Sequence, residues 1–240
     1  MVSYTKHTDI EVFQGEISKH QYPWHFHKCY TLILVEKGSI IYEFNDEQLK
    51  VEPAEVLIIE PFKTHRNTIT RTTVYKAIFI PQKYFESVGQ DKYFTVKVNH
   101  SEVVAKIADM LKHTALNYSR GGFKKNVVEL CQLIYHSQSA QIHFSSSAIS
   151  TIPEIDYDLS VKELAQKAHL SKFHFQRKFK KKCGLTIGQL KQQEKTTKAK
   201  ALLENGKLST DVAHQLGFFD QSHFIKYFKK MWAITPKNFK

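Results

Sequence analysis

Four side chains with ligating or hydrogen-bonding atoms lie close together near the start of the chain: His25, His27, Cys29 and Thr31. Alternate residues of a β-strand point to the same side, so a strand here would place all four on one face. Imidazole nitrogens on such a face can bind a divalent transition metal or hydrogen-bond an organic ligand. Nothing beside Cys29 marks a thiol of low pKa, which leaves redox sensing with little support.

A second set of chemically useful residues lies in an internal repeat near the end of the chain. A shift of 49 residues aligns 171–187 with 220–236, and six of the 17 aligned positions are identical. Both copies open with an N-cap residue, Ser171 or Asp220, and a short helical segment precedes each one. Each copy thus consists of a short helix, a tight turn and a basic second helix. This is the arrangement that places a recognition helix in the major groove of DNA.

The two faces of each basic helix differ in chemistry. Phe175 and Phe179 in the first copy, and Phe224, Phe228 and Met231 in the second, are predicted to point into the core. Opposite them lie Gln and Arg, which can bind base edges bidentately, and Lys, which suits phosphate. The predicted DNA-binding residues are Lys172, Phe173, Gln176, Arg177, Lys180, Gln221, Ser222, Ile225, Lys226 and Lys229. The alternative is that each helix simply exposes a basic face to solvent. The presence of two aligned copies of the repeat disfavours this alternative.

The charge of the chain is concentrated in the same region. The net charge is +12, from 35 basic and 23 acidic residues, and residues 151–240 hold 18 of the basic but only 8 of the acidic ones. This excess predicts a polyanionic partner, either nucleic acid or an anionic membrane. No apolar run approaches ~18 residues and the start of the chain lacks a signal pattern, so we expect neither a membrane span nor secretion. Three widely spaced cysteines fit a reducing cytoplasm.

The elements that position these residues form a β-rich part of the chain and a helical part. Alternating and β-branched stretches over the first ~95 residues predict a small barrel or sandwich. These stretches are 30–36, 39–44, 49–52, 55–60, 67–70 and 72–80. Helical periodicity then predicts helices over 101–118 and 124–136, with a Gly turn at 120–122 between them. This αα-hairpin either covers the barrel or forms a dimer interface.

The remaining segments complete a multi-domain chain of α and β structure. The predicted domains are an effector-binding barrel (1–97), an αα-hairpin (98–140), a Ser-rich linker (141–157) and a DNA-binding domain (158–240). One long helix over 187–204 should join the two repeat copies, with a polar middle that bridges them through solvent. At ~1.5 Å per residue it spans roughly 27 Å, which can set the recognition helices about one DNA turn apart.

The region from Leu159 to Phe239 resembles the AraC/XylS family of bacterial transcription regulators. The resemblance rests on LSVKELAQKAHLSKFHFQRKFKKKCGLTIGQL, KAKALLENG and DVAHQLGFFDQSHFIKYFKK, with ITPKNF at the end. It implies an all-α domain of two helix-turn-helix motifs, in which Phe173, Gln176 and Arg177 enter one groove segment. It likewise implies that Gln221, Ser222 and Lys226 enter the next segment. Ala233 stands where the second copy of the family has glycine.

The N-terminal half resembles the cupin-like sensor barrel of the same family, through WHFHKCYTLILVEKG and VEPAEVLIIEPFKTH. This resemblance implies that His65 returns to the cavity of the other two histidines. The predicted effector-binding residues are His25, His27, Thr31, Tyr42 and His65. We favour an imidazole-lined pocket for an organic ligand. Thr31 replaces the usual glutamate ligand of metal cupins, so we predict no metal; if one is held, His25, His27 and His65 hold it.

Three hypotheses about function follow. We favour a cytoplasmic DNA-binding transcription regulator, activating or repressing, whose barrel senses a small-molecule effector. The alternatives are a metal-sensing or metal-dependent cupin protein with a DNA-binding tail, and a constitutive dimeric regulator without effector. No phosphate loop, nucleophile elbow or carboxylate pair is present, so we expect neither an enzyme nor a cofactor. The expected partners are promoter DNA and the effector, with RNA polymerase and a second copy joined through 101–137 as further candidates, but no membrane.

Overall fold

The N-terminal half of the chain is rich in β-structure. The computed structural model describes residues 2–90, 93–99, 101–113, 120–137 and 155–239. Its ten strands are β1 (Val2–His7), β2 (Ile10–Ile17), β3 (His20–Gln21), β4 (Tyr30–Lys37), β5 (Ile40–Glu43), β6 (Gln48–Val51), β7 (Val56–Ile59), β8 (Arg66–Ile69), β9 (Thr73–Ile80) and β10 (Val96–Val98). All six predicted strands are therefore present within a residue or two.

These strands form two antiparallel sheets, in the orders β1-β2-β9-β4-β7-β10 and β3-β8-β5-β6. Apolar side chains from both sheets, such as Ile33 of β4 and Ile69 of β8, fill the space between them. One expectation was wrong: residues 25–29 do not form a strand. Only His25 makes an isolated bridge, with His65, and β4 begins at Tyr30.

The outer face of the larger sheet is covered by helices. They are α1 (Gln82–Glu86), α2 (Ser101–His113) and α3 (Arg120–Ser137). Fully buried Ile107 of α2 and Leu130 of α3 pack in one cluster with Leu32 and Ile78 of the sheet. The hairpin stripes are thus used within the chain to cover the barrel. The predicted Gly turn at 120–122 was wrong, because α3 begins at Arg120; residues 114–119 lie outside the described part.

The C-terminal domain is helical. Its helices are α4 (Val161–Lys167), α5 (Lys172–Cys183), α6 (Ile187–Glu204), α7 (Ser209–Gln215) and α8 (Gln221–Trp232), followed by a 3-10 turn over Pro236–Asn238. Ser171 and Asp220 cap α5 and α8 as predicted, since their side chains accept hydrogen bonds from the N–H groups of His174 and His223. The predicted fold class, a cupin-like barrel with a helical hairpin and a tandem helix-turn-helix domain, is confirmed.

The middle of α6 differs from the sequence expectation. It does not bridge the two motifs through solvent, because Thr196 and Lys200 are buried and Gln193 is half-buried. Thr196 bonds the α6 backbone, whereas Gln193 and Lys200 bond residues of the barrel. Polar side chains here satisfy partners across a domain interface rather than water.

The predicted domain boundaries remain predictions, since most of the linker, residues 138–154, lies outside the described part. Among the helices that the structure describes, none combines the length and the hydropathy that a membrane span requires.

Candidate DNA-binding surface and effector cavity

The first recognition helix, α5, presents its predicted DNA-binding face to solvent. Lys172, Phe173, Gln176, Arg177 and Lys180 are all exposed. The side chain of Phe173 is 83% exposed, which is unusual for an aromatic residue without a partner. Within the described residues, none of the cations on this face forms an ion pair. The face is therefore free to meet a polyanion.

The second recognition helix, α8, presents a similar face. Gln221, Ser222, Lys226 and Lys229 are exposed, whereas Ile225 is half-buried. Gln221 Nε2 donates to Ser209 Oγ of α7 at 3.0 Å, which orients the amide at the start of the helix. Sequence reasoning missed Phe219, which is 92% exposed in the turn before α8. The doubled phenylalanine of Gly217-Phe218-Phe219 could have shown it, because of the two rings only that of Phe218 belongs to the core of the second motif.

Each recognition helix is held by its apolar face. Phe179 of α5 is buried with Leu164 of α4, and Phe224 and Phe228 of α8 are fully buried with Val212 of α7. Phe175, predicted to be core, is half-buried at the edge of the first cluster. These contacts fix the angle between the two helices of each motif.

The prediction that Met231 points into the core of the second motif was wrong. Its side chain is half-buried and lines a cavity of the barrel rather than the core of the second motif. The i, i+4 series of Phe224 and Phe228 continues to Trp232, which packs on the core of the second motif, and Met231 lies beside this series. Trp232 lies beside it and lines the same cavity.

The barrel contains a cavity of about 300 Å³. All five predicted effector-binding residues line it: His25, His27, Thr31, Tyr42 and His65. Cys29 also lines it, so the four residues predicted to share a strand face do share a cavity, although only Thr31 lies in a strand. Aromatic and aliphatic side chains such as Phe13, Ile33 and Phe79 make up much of the remaining wall.

Two backbone hydrogen bonds of 2.8 Å join His25 and His65, each N–H donating to the carbonyl of the other residue. This bridge places the two imidazoles side by side, with ring centroids 4.4 Å apart. The Nδ1–H group of each ring donates to a carbonyl two residues earlier, that of Pro23 at 2.7 Å and that of Lys63 at 2.8 Å. A carbonyl can only accept, so both rings carry their proton on Nδ1 and keep an unprotonated Nε2.

Burial sets the charge state of these rings. It lowers the pKa of His25 to about 4, against which the hydrogen bond to Pro23 acts. Burial, and then the charge of neighbouring histidines, hold the pKa values of His27 and His65 well below their usual range. At neutral pH the cavity therefore offers three neutral imidazoles. Burial likewise raises the pKa of Cys29 to about 12, which leaves a protonated thiol.

The cavity is not built by the barrel alone. Gln193, Glu194 and Thr197 of α6 line it together with Met231 and Trp232 of α8. The side-chain amide of Gln193 pairs with the backbone of Phe26, donating to its carbonyl at 2.8 Å and accepting from its N–H at 3.2 Å. The helix that joins the two DNA-binding motifs and the second recognition helix thus contribute to the wall of a cavity in the other domain, which sequence reasoning did not find.

Further contacts tie the DNA-binding domain to the barrel. Thr64 Oγ1 donates to the carbonyl of Cys183, at the end of α5, at 2.7 Å. Lys200 of α6 is 7% exposed and pairs with Glu11 of β2. Its Nζ lies 4.6 Å from the ring centroid of Tyr4 and 4.5 Å from that of Trp232. A cation enclosed in this way is held by both the ion pair and the aromatic faces.

Two family models match the chain. The AraC-like ligand binding domain matches residues 7–146, and a helix-turn-helix domain matches residues 164–240. Among curated relatives, the HTH-type transcriptional regulator YbfI of Bacillus subtilis is 26% identical over 244 residues, covering 90% of this chain and 86% of the relative. The HTH-type transcriptional activator RhaS of Escherichia coli is 22% identical over 248 residues, covering 90% of this chain and 87% of RhaS.

Solved structures show the same fold. An apo single-residue variant of ToxT from Vibrio cholerae superposes with a TM-score of 0.62 at 10% identity, covering 98% of this chain and 97% of that chain. Wild-type ToxT with a bound unsaturated fatty acid superposes with a TM-score of 0.60 at 12% identity, covering 95% and 92%. The ligand-binding match spans more than half of the residues, and the helix-turn-helix match covers the repeat. The chain belongs to the AraC family of helix-turn-helix transcriptional regulators.

Proposed function

We propose that this protein regulates transcription by reading promoter DNA with α5 and α8, under the control of a small organic effector in the barrel cavity. The carrying observation is the shared wall of that cavity, to which both α6 and α8 contribute. Such a protein works where promoter DNA lies, in the cytoplasm. The family is one of transcriptional regulators, and the proposal includes no catalytic step.

The chemistry of the wall indicates the class of effector. Phe13, Ile33 and Phe79 offer an apolar surface, whereas the imidazoles and the tyrosine hydroxyls offer hydrogen bonds. Tyr22 and Tyr75 already share a hydrogen bond of 2.8 Å. We expect a molecule with an apolar body and one polar end. The fatty acid bound by ToxT has this character, which supports the class without naming the compound.

Coupling between effector and DNA then needs no long pathway. An effector in the cavity touches Gln193 and Trp232 directly, so it changes the free energy of the interface between the DNA-binding domain and the barrel. Its binding biases the domain between a held and a released arrangement. The direction of the response depends on which arrangement the effector contacts better.

The alternative hypotheses about function receive different support from the cavity and the hairpin. A constitutive regulator should have a tightly packed, empty barrel, and the cavity of about 300 Å³ does not match that description. A homodimer through residues 101–137 remains a prediction, and the main apolar stripes of that hairpin are already buried against the barrel. Contact with RNA polymerase also remains a prediction.

Selection of duplexes from a random library with the full chain tests the DNA-binding part. Arg177→Ala should weaken binding to the selected site by ~1–3 kcal/mol and relax the base preference at one position. Lys180→Ala should weaken binding to all sequences alike and flatten the salt dependence. Lys37→Ala, an exposed charge on the barrel, is the matched control. Equal behaviour of Arg177→Ala and Lys37→Ala would remove Arg177 from the interface.

Native mass spectrometry of the full chain tests the effector part. A co-purified organic mass that is lost in Ile33→Trp, which fills the cavity, supports the proposal. That mass should also change the affinity for the selected DNA when it is added back. An organic molecule that binds equally well to Ile33→Trp would place the effector elsewhere.

A further inference from the structure

We infer that His25, His27 and His65 form a facial three-histidine site for one divalent first-row transition-metal ion, which anchors the polar end of the effector. This inference rests on the proposed function, since it assigns the ion to the effector cavity. It departs from the sequence expectation of no metal. The ligating atoms of the three residues lie within 4.8 Å of one another.

The orientation of the rings carries the argument. Histidines that bind metals almost always donate their other ring N–H to a carbonyl or carboxylate, which fixes the tautomer and leaves one lone pair for the ion. His25 and His65 both show this arrangement, through Pro23 and Lys63. The backbone bridge between His25 and His65 fixes them further. Two rings are thus prepared with an unprotonated Nε2 before any ion is present.

His27 completes the set. Its ring centroid lies 5.0 Å from that of His25 and 5.5 Å from that of His65. A tetrahedral ion with bonds of ~2.1 Å needs donor atoms ~3.4 Å apart, so the rings must move together by about an ångström. His27 is half-buried, and its ring makes no hydrogen bond within the part of the chain that the structure describes. It can therefore turn toward the other two at little cost.

The chemistry of the ligands selects the ion. Imidazole suits zinc, copper, iron and nickel, whereas calcium and magnesium require oxygen ligands. Thr31, in place of a carboxylate, leaves the ion with three protein ligands and at least one free position. That position is open to an oxygen of the effector. The cavity thus has a polar anchor at its histidine corner and an apolar wall elsewhere.

Cobalt titration of the full chain, freed of metal by a chelator, tests the site. We expect one equivalent of Co²⁺ to give visible d–d absorption and Zn²⁺ to displace it. His27→Gln, the least disturbing ligand variant, should lower the Co²⁺ affinity at least tenfold, whereas His214→Gln on the exposed face of α7 should not. Equal affinities of these two variants, or no stoichiometric binding to the wild type, would overturn the inference.

A second measurement on the wild type guards against a variant that fails to fold. The proton NMR spectrum of the Co²⁺ form should contain shifted imidazole N–H signals, and those of His25 and His65 should exchange slowly because carbonyls hold them. Absence of these signals overturns the site. An organic molecule that changes DNA affinity in metal-free protein would refute the metal anchor alone. Binding of Co²⁺ without any effect of metal or ligand on DNA affinity would refute the effector control alone.

Discussion

The ion pair between Lys200 and Glu11 should be the strongest polar link between the two domains. The side chains are 8% and 21% exposed, so both charges are largely removed from water. Removal of one partner from a fully buried pair costs ~3–5 kcal/mol, since the other charge is left without compensation. Partial access of water to Glu11 reduces this, and we expect Lys200→Met to cost about 2–3 kcal/mol.

A double-mutant cycle measures the link. Methionine keeps much of the apolar stem of Lys200 against Tyr4 and Trp232, so its loss of packing is small. Glu11→Gln alone should cost about 1–2 kcal/mol, because the aromatic rings still stabilise the cation. The double variant should recover at least about 1.5 kcal/mol relative to the sum of the single variants.

Urea unfolding provides the assay. Trp232 lies 4.5 Å from Lys200 Nζ, so its fluorescence reports on this interface, and far-UV circular dichroism reports on the helices. Lys207→Met, an exposed cation just beyond α6, is the control and should change the free energy of unfolding by less than about 0.5 kcal/mol. Additive single effects, or a Lys200→Met variant as stable as the control, would refute the reasoning.

Three further outcomes are expected. Ala233 ends α8 in the left-handed region at φ 58°, where the first copy has Gly184 at φ 75°. Ala233→Gly should therefore raise the free energy of unfolding by about 0.5–1 kcal/mol. A destabilised variant in thermal melts would contradict this. Phe219→Ser should weaken DNA binding about fivefold with an unchanged melting temperature, since a 92% exposed ring contributes little to folding; unchanged DNA affinity would exclude a contact. Burial raises the pKa of Asp9, but hydrogen bonds from Lys83 and Tyr84 prevail and lower it from 3.8 to about 2. The resulting stability is present above about pH 4 and is lost as the pH falls toward 2, so Asp9→Asn should flatten the pH dependence of stability in that window; an unchanged slope would show that other carboxylates dominate.

The strands and the recognition helices could be predicted because their signals are local. The apolar, β-branched run along 30–36 corresponds to β4, which is buried on both faces of its sheet, and the run along 72–80 corresponds to β9. The repeat likewise predicted α5 and α8, since N-caps and the i, i+4 aromatic pairs are properties of single helices. The start of α3 was missed because Gly121 and Gly122 have low helix propensity, which packing of the rest of α3 against the sheet overrides.

The sequence alone determined which types of side chain occur at the DNA-binding surface and at the cavity. The tertiary structure decided which groups those side chains face. Exposed cations on α5 and α8 follow from helical periodicity, so their positions were predictable from spacing. The tautomers of His25 and His65 are set by carbonyls two residues earlier, but the pairing of the two rings depends on a backbone bridge between residues 40 positions apart, which no local pattern encodes. The sequence predicts a solvent-exposed bridge for the polar middle of α6. In the sequence, a polar side chain that hydrogen-bonds to water looks the same as one that hydrogen-bonds to a distant part of the protein. Only the packed interface, with Gln193 on Phe26 and Lys200 on Glu11, distinguishes the two.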